Sequence, residues 1–154
     1  MDHSNTNFSQ AVTAVVFHEG KVLLARHTYG PGRGKLIIPG GFVEYGEMPE
    51  EAVRREYFEE TKVLVEPRTI IGIRFNGKEW YVAFLADYKS GVVESDGDEN
   101  SEALWMDIEE ALTRDDVPPL TKELIRCAQK AEDKAFDKIA YKSSSGNSTL
   151  YGIK

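Results

Sequence analysis

The first quarter of the chain alternates between apolar segments typical of β-strands and polar segments typical of turns. Residues 11–17 (AVTAVVF) are rich in β-branched side chains, and residues 21–27 (KVLLARH) follow after an acidic residue and a glycine. This pattern predicts a β-hairpin. Residues 28–35 are rich in Gly and Pro and predict an exposed loop, after which residues 36–39 (LIIP) predict a short strand that ends at two glycines.

The residues after these two glycines change to a pattern typical of a helix. Pro49 suits a first helical turn because its ring fixes φ and its missing amide hydrogen needs no partner there. The two glutamates that follow suit the positive end of the helix dipole. We therefore expect a helix from about Pro49 to about Thr61.

The middle of the chain predicts a second pair of strands. Residues 63–75 have an extended pattern and residues 80–88 are the expected partner strand. The Asn-Gly pair between them is a strong hairpin signal because both residues tolerate the positive φ of a two-residue turn. Residues 89–102 are polar and predict a loop, and residues 103–108 predict a strand followed by a short helix.

The last third of the chain predicts one more helix and a tail. From Pro119 onward, apolar residues recur at helical spacing, which predicts an amphipathic helix that covers the sheet: Leu120, Leu124, Cys127 and Ala131. Its polar continuation is expected to project. We predict one domain over residues 9–142, a flexible N-terminus over residues 1–8 and a Ser-rich flexible tail over residues 143–154, whose apolar end is disordered or docks on a neighbour.

Composition narrows the class of protein. The chain has 154 residues, of which 41% are hydrophobic and 29% are charged, which is typical of one soluble globular domain. The first ten residues lack the basic start and apolar stretch of a signal peptide, and no apolar run is long enough to cross a bilayer. A lone Cys127 cannot form an internal disulfide. We expect a cytoplasmic protein with no membrane partner.

The net charge of −7 is unevenly distributed. It argues against a partner such as long nucleic acid, because proteins that bind phosphate backbones concentrate Lys and Arg. Residues 44–60 hold seven carboxylates and two arginines, and residues 94–110 hold eight acidic residues and no basic one. These two acidic segments are either solvated surfaces or a place that collects divalent cations.

Three of these carboxylates share one side of the predicted helix. At 100° per residue, Glu56, Glu59 and Glu60 span roughly 100° of its circumference. Like charges at this spacing repel and weaken a helix unless a cation neutralises them. Taken alone, the three are most simply a solvated acidic surface; if they bind an ion, carboxylate oxygens favour Mg²⁺, Mn²⁺ or Ca²⁺.

The residues around these carboxylates resemble the box that defines the Nudix hydrolase family. Gly41 is followed after five residues by Glu47 and after seven more by Arg55-Glu56, and Glu59-Glu60 come two residues later. Lys62 departs from the pattern because the family usually has Gly there. A helix end at Lys62 therefore lacks the residue that most easily adopts a left-handed conformation. This departure removes no ligand and affects the predicted geometry of the helix end more than metal binding.

This resemblance implies a fold, a reaction and a cofactor. The expected fold is an α/β/α sandwich with a mixed β-sheet between helices. The expected reaction is hydrolysis of a nucleoside diphosphate linked to another group, with Mg²⁺ or Mn²⁺. Glu59 and Glu60 would be the main metal ligands, Glu56 a further ligand or the base, and Arg55 would orient a neighbouring carboxylate. The carbonyl group of Gly40 could complete the metal shell.

Other site residues follow from the resemblance less directly. In some family members a glutamate from a distant loop binds metal or acts as base, and Glu99 is our first candidate and Glu102 the second. Five residues could contact the anion or stack on the base of a substrate: Arg26, Arg33, Arg74, Phe42 and Tyr81.

Several alternatives stay open at this point. The substrate could be a nucleoside triphosphate, an ADP-ribose-like compound or a dinucleoside polyphosphate, and a homodimer could form. The domain could instead bind a nucleotide and regulate a partner without turnover. An acidic interaction module would explain the charge but not the spacing of the box.

Overall fold

The computed structural model describes residues 9–131, 136–142 and 148–153. All nine strands of this part of the chain belong to one sheet. The elements in chain order are β1 (Ser9–His18), β2 (Lys21–His27), β3 (Leu36–Ile37), β4 (Gly40–Phe42), α1 (Pro49–Thr61), β5 (Leu64–Phe75), β6 (Glu79–Ser90), β7 (Asn100–Asp107), α2 (Ile108–Thr113), α3 (Pro119–Gln129), β8 (Phe136–Ile139) and β9 (Leu150–Gly152).

The sheet is mixed. Strand β1 runs parallel to β6, whereas the other strand pairs of the described chain are antiparallel. The main order is β3-β2-β1-β6-β5-β8-β9, with β4 paired to β1 and β7 paired to β2. Parallel neighbours need a long crossover, and here the chain between β1 and β6 contains α1.

Helices cover both faces of the sheet. Val12 and Val16 of β1 pack in the same apolar cluster as Tyr57 of α1. Val15 points to the opposite face, as strand geometry requires, and packs in the cluster that contains Leu124 of α3. The predicted α/β/α sandwich with a mixed sheet between helices is confirmed. None of the helices in residues 9–131 or the shorter described segments is long and apolar enough to cross a membrane.

Helix α1 has the predicted bounds, Pro49–Thr61. Met48 at its N-cap has no side-chain oxygen to offer, but its own amide N–H donates to Oε2 of Glu51 at 3.0 Å. The hydroxyl group of the fully buried Tyr57 donates to the backbone oxygen of Ala14 in β1. This bond fixes α1 against the sheet and satisfies a phenol that would otherwise be buried without a partner.

The C-terminal part of the chain differs from the expected extension and tail. Residues 136–139 form β8, which pairs with the edge strand β5, and residues 150–152 form β9, which pairs with β8. The hydroxyl group of Tyr151 donates to Oε1 of Glu50 at 2.8 Å. An edge strand presents unpaired amide and carbonyl groups that attract another strand, and composition does not reveal that pairing.

The predicted flexible segments 1–8 and 143–147 lie outside the described residues.

The buried side of α3 differs from the predicted one. Leu120 was expected on the buried side but is 36% exposed, and it lines a cavity described below. The side chains that are buried on α3 are Thr121, Leu124, Ile125 and Ala128.

Helix α1 ends at a residue that stores backbone strain. Lys62 has φ 64° and ψ 12°, which is the left-handed conformation, and its amide donates to the carbonyl of Phe58. A side chain in this conformation costs about 1–2 kcal/mol relative to Gly. We expect Lys62→Gly to raise the free energy of unfolding by about 1 kcal/mol, the remainder being lost to the flexibility of Gly in the unfolded chain. Urea denaturation measures this.

The control for this substitution is Lys62→Ala. It removes the contacts of the Lys62 ammonium group with the Glu59 carbonyl and the Phe58 ring but keeps Cβ. We expect its stability to stay within about 0.5 kcal/mol of the wild type because these contacts are exposed. If the glycine variant is no more stable than the alanine variant, the backbone is not strained at this position.

Candidate active site

Three glutamates converge at the C-terminal half of α1. Glu56 and Glu60 lie one helical turn apart and therefore on the same side of the helix, and Glu99 ends the loop before β7. One carboxylate oxygen of each lies within 4.8 Å of the others. Glu56 and Glu60 are buried, with 8% and 4% of their surface exposed, and Glu99 is exposed at the rim.

This arrangement is unfavourable for three negative charges. Burial, together with the neighbouring charges of Glu56 and Glu99, raises the pKa of Glu60 to about 9. Burial also raises the pKa of Glu56, although Arg55 opposes this. Within the described residues, Oε2 of Glu60 is buried and has no hydrogen-bond partner. A buried polar atom without a partner costs free energy, so a positively charged ligand would stabilise the cluster.

The chemistry and spacing of these oxygen atoms fit a divalent cation. Mg²⁺ binds carboxylate oxygens at about 2.1 Å, so two ligands on opposite sides of the ion are roughly 4.2 Å apart. Adjacent ligands of such an ion are about 3.0 Å apart. The three ligand oxygens lie within 4.8 Å of one another, so they would move closer together on binding one ion. Glu56, Glu60 and Glu99 could therefore hold Mg²⁺ or Mn²⁺.

Arg55 organises the carboxylates on one side of the cluster. Its Nε and Nη2 atoms donate to both oxygens of Glu47 at 2.7 and 3.0 Å, and its Nη1 atom donates to Oε1 of Glu56 at 2.8 Å. Nη2 also donates to the carbonyl of Phe42 at 3.0 Å. Hydrogen bonds and charge from Arg55 lower the pKa of Glu47. A planar guanidinium can make these contacts at once, and they fix the orientation of Glu56.

Two glycines of the box allow the backbone to approach closely. A Cβ atom on Gly41 would lie 2.5 Å from the carboxylate of Glu56, and one on Gly40 would lie 2.3 Å from the carbonyl oxygen of Val12. Any side chain at either position would displace the site or strand β1. The backbone of Gly40 also lies close enough to the Glu60 carboxylate to hold its pKa lower than burial alone would.

Glu59 lies apart from the three converging carboxylates. Its side chain is 57% exposed, and its nearest basic partner is Nη1 of Arg55 at 3.3 Å. Glu59 is thus at the rim, although the resemblance makes it a main ligand. The role of Glu59 and that of the Gly40 carbonyl stay predictions.

A cavity of about 410 Å³ adjoins the cluster through Gly40 and Gly41. Three of the five predicted substrate-binding residues line it: Arg74, Phe42 and Tyr81. Nη2 of Arg74 donates to Oε2 of Glu79 at 2.5 Å, and its guanidinium lies 5.1 Å from the centre of the Tyr81 ring. The cavity therefore combines aromatic walls with a fixed pair of opposite charges.

The structure does not bring the other two predicted residues to this cavity. Arg26 donates to Glu102 at 3.0 Å, to Asp116 at 3.1 Å and to the carbonyl of Gly34 at 2.8 Å. Arg33 is exposed in the loop after β2. Neither lines the cavity, and Arg26 is already paired with two carboxylates. The pairing with Arg26 also separates Glu102 from the cluster, whereas Glu99 joins it.

Sequence reasoning missed several residues that line the cavity or support the cluster. His27 and Tyr29 line the cavity and stack with their ring centres 5.8 Å apart. Burial, and then the charge of Glu99, raises the pKa of Tyr29. An aromatic residue in an otherwise Gly- and Pro-rich loop was the available signal. Asn100 carried no such signal, because its contact with the Glu60 carbonyl joins residues 40 positions apart. Glu79 lies only five residues from its partner Arg74, and the predicted β5–β6 hairpin could have indicated that pair.

Known proteins with related sequences share this part of the chain. A family model described as NUDIX domain matches residues 7–126. The ADP-ribose pyrophosphatase of Methanocaldococcus jannaschii is 33% identical over 104 residues, covering 64% of this chain and 61% of that protein. The NAD-capped RNA hydrolase NudC of Haemophilus influenzae is 36% identical over 108 residues, covering 64% of this chain and 38% of that protein. The matches thus span less than two thirds of either relative.

Solved structures support the same assignment. The crystal structure of a NUDIX hydrolase from Nitrosomonas europaea aligns with a TM-score of 0.71 and 25% identity, covering 80% of this chain and 70% of that one. The family match over residues 7–126 includes α1 with its carboxylates, the cavity and Glu99. The predicted resemblance is confirmed, and the chain belongs to the Nudix hydrolase family.

Proposed function

We propose that this protein is a divalent-metal-dependent pyrophosphohydrolase. Its substrate is a nucleoside diphosphate linked to another group, and the bond cleaved is a phosphoanhydride. The observation that carries this proposal is the convergence of Glu56, Glu60 and Glu99, with Glu56 packed beside Gly41, a residue that lines the neighbouring aromatic cavity. A regulatory nucleotide-binding domain would have less need for a third carboxylate beside its metal ligands.

Each residue of the cluster has a separate role in this proposal. Mg²⁺ or Mn²⁺ would screen the charge of the phosphates and make water a better nucleophile at neutral pH. Glu56 and Glu60 would hold the ion, and Arg55 orients Glu56. Glu99, as the most exposed of the three, would accept a proton from the attacking water at a carboxylate oxygen. Glu59 assists from the rim.

The cavity supports binding of the nucleoside part of the substrate. Phe42 and Tyr29 are 60% and 55% exposed and offer ring surfaces for stacking on a base. Arg74 is paired with Glu79, so its charge is already balanced. A neutral base with both a hydrogen-bond donor and an acceptor suits this pair better than a phosphate group does.

A substrate panel tests the proposal. The panel contains ADP-ribose, a reduced nicotinamide dinucleotide, a dinucleoside polyphosphate, nucleoside triphosphates and NAD-capped RNA, each with Mg²⁺, Mn²⁺ or EDTA. We expect hydrolysis that needs the metal and products that each carry a phosphate formed by cleavage of the anhydride. Binding without turnover of any compound would support the regulatory alternative instead. Turnover of capped RNA would also overturn the prediction that long nucleic acid is not a partner.

The two loop glutamates provide a matched pair of variants. We expect Glu99→Gln to lower kcat about a hundredfold, the scale typical of losing a metal ligand or a base. We expect Glu102→Gln to stay within about twofold of the wild type, because Glu102 pairs with Arg26 outside the cluster. Steady-state kinetics on a substrate found in the panel measures both. The reverse result would assign the role to Glu102.

The cytoplasmic location and the homodimer remain part of the proposal. Fractionation of cells that express the full chain tests the first, and sedimentation equilibrium tests the second.

A further inference from the structure

The loop that carries Glu99 is tied to the end of α1 at both of its ends. At its start, the amide of Glu94 donates to the carbonyl of Thr61 at 2.9 Å. At its end, Nδ2 of Asn100 donates to the backbone carbonyl of Glu60 at 2.9 Å. Asn100 is buried, with 1% of its surface exposed. The Asn100 side chain thus connects two parts of the cluster. Asn100 follows Glu99 in the chain, and its partner Glu60 carries a carboxylate that lies close to that of Glu99.

The other end of the Asn100 amide holds the interior of the loop. Its Oδ1 atom accepts a hydrogen bond from Oγ of Ser95 at 2.6 Å. The backbone amide of Asn100 donates to Oδ1 of Asp96 at 3.0 Å, and the amide of Asp98 donates to the same atom at 2.9 Å. The Asn100 side chain therefore joins α1 on one side and the loop on the other.

Thr28, at the end of β2, holds the loop from the opposite direction. Its backbone amide donates to the carbonyl of Glu99 at 3.1 Å, and its Oγ1 atom lies 2.6 Å from the carbonyl of Asp98. These bonds restrict the main chain on the N-terminal side of Glu99, and those of Asn100 restrict it on the C-terminal side. Glu99 is left with little freedom in its backbone.

This restraint of the backbone opposes the repulsion between carboxylates at the site. Glu56 on α1 and Glu99 on the loop carry like charges, and without a cation their repulsion acts to separate the loop from α1. Side chains alone cannot oppose this movement, because Glu99 has no basic partner among the described residues. The hydrogen bonds of Asn100 act on the backbone and hold the carboxylate in position.

We propose that Asn100 is a positioning residue that holds Glu99 against Glu56 and Glu60, so that the ligand set is assembled before the cation binds. This inference rests on the proposed metal-dependent function. A site that is assembled in advance binds the ion without the cost of ordering a loop, and supporting residues of metal sites commonly affect affinity by 10–100-fold.

The test measures Mn²⁺ binding to the metal-free protein without substrate, using the electron paramagnetic resonance signal of free Mn²⁺. We expect Asn100→Ala to raise the Kd for Mn²⁺ about tenfold. The control is Thr69→Ala. Thr69 is also buried, and the substitution removes the hydroxyl group that donates to the backbone carbonyl of Phe136. It lies away from the cluster and should lower stability to urea while leaving the Kd unchanged. A Kd within twofold of the wild type for Asn100→Ala overturns the inference.

A double variant separates positioning from general destabilisation. If Asn100 acts through Glu99, Asn100→Ala should weaken Mn²⁺ binding tenfold in the wild type and less than twofold in a Glu99→Gln background. A purely structural effect would be the same in both backgrounds, and that result would contradict the proposal.

A milder variant decides the matter if Asn100→Ala does not fold. Ser95→Ala keeps Cβ and removes the hydroxyl group that donates to Oδ1 and to the backbone carbonyl of Asn100, and we expect it to raise the Kd for Mn²⁺ about threefold. An unchanged Kd in this variant would then overturn the inference. If the wild type itself does not bind Mn²⁺, the proposed function is overturned. If the wild type binds Mn²⁺ and hydrolyses its substrate, and Asn100→Ala binds Mn²⁺ with the same Kd, only the positioning role is overturned.

Discussion

Glu60→Gln is expected to lower kcat at least about a hundredfold while leaving the fold intact. Glu60 contributes the most buried carboxylate of the cluster, and its Oε2 atom has no partner in the described chain. An amide in its place is nearly isosteric but is neutral and a poor ligand for Mg²⁺. Steady-state kinetics at saturating Mg²⁺ measures the loss, which is of the size expected when a metal site is impaired.

The stability of the same variant provides an independent check. Without metal, burial and the charges of Glu56 and Glu99 disfavour an ionised carboxylate at this position. A neutral glutamine avoids this cost, so we expect the free energy of unfolding to be equal to or higher than that of the wild type. Glu51→Gln is the control on the same helix, because Glu51 accepts only the amide of Met48 and a glutamine oxygen can do the same. Wild-type kcat in Glu60→Gln would remove this residue from the site.

Arg55→Lys is expected to lower both stability and turnover although it keeps the positive charge. Arg55 bonds both oxygens of Glu47 and one oxygen of Glu56, and the side chains of these two glutamates are only 13% and 11% exposed. A lysine ammonium cannot bridge both carboxylates in the same geometry. We expect a loss of about 2 kcal/mol, the usual cost of a broken hydrogen bond to a buried charged group, and at least tenfold lower kcat.

Arg54→Lys is the matched control one position earlier. Arg54 also makes two hydrogen bonds to one carboxylate, that of Glu66, but both side chains are about 40% exposed. Exposed ion pairs contribute little, so we expect a change below about 1 kcal/mol and normal kcat. Urea denaturation and kinetics on both variants complete the comparison. Equal effects of the two substitutions would show that Arg55 has no special role in orienting Glu56.

Local sequence was sufficient for elements whose signals lie within a few residues. The helix Pro49–Thr61 was predicted with its observed ends because proline, acidic residues and apolar spacing all act within one segment. The hairpin between β5 and β6 was found for the same reason, since the two strands flank the turn directly. The expected positive φ at Asn76 and Gly77 was wrong: neither residue adopts it, and the turn is held instead by the amide of Lys78, which donates to Oδ1 of Asn76. In contrast, β7 begins at Asn100 within a segment predicted as loop, because its pairing with His27 is invisible in local composition.

The candidate site divides in a similar way. Glu56, Glu60, Arg55 and the two glycines could be named from the box because their spacing along one helix and one turn determines their geometry. Arg26 was misplaced because Glu102 and Asp116, which pair with it, are 76 and 90 residues away. The C-terminal strands were missed because they form only when the edge of β5 is available.

The family, the helix Pro49–Thr61 and the group of carboxylates on it could all be predicted from local sequence. These follow from periodic spacing, since a helix puts every third and fourth side chain on one side whatever surrounds it. The folded chain was needed to establish which loop glutamate joins them, which predicted arginine lines the cavity and how the loop is held beside α1. These depend on contacts between residues far apart in the chain, and burial and pairing at such contacts are set by packing, which local pattern does not encode.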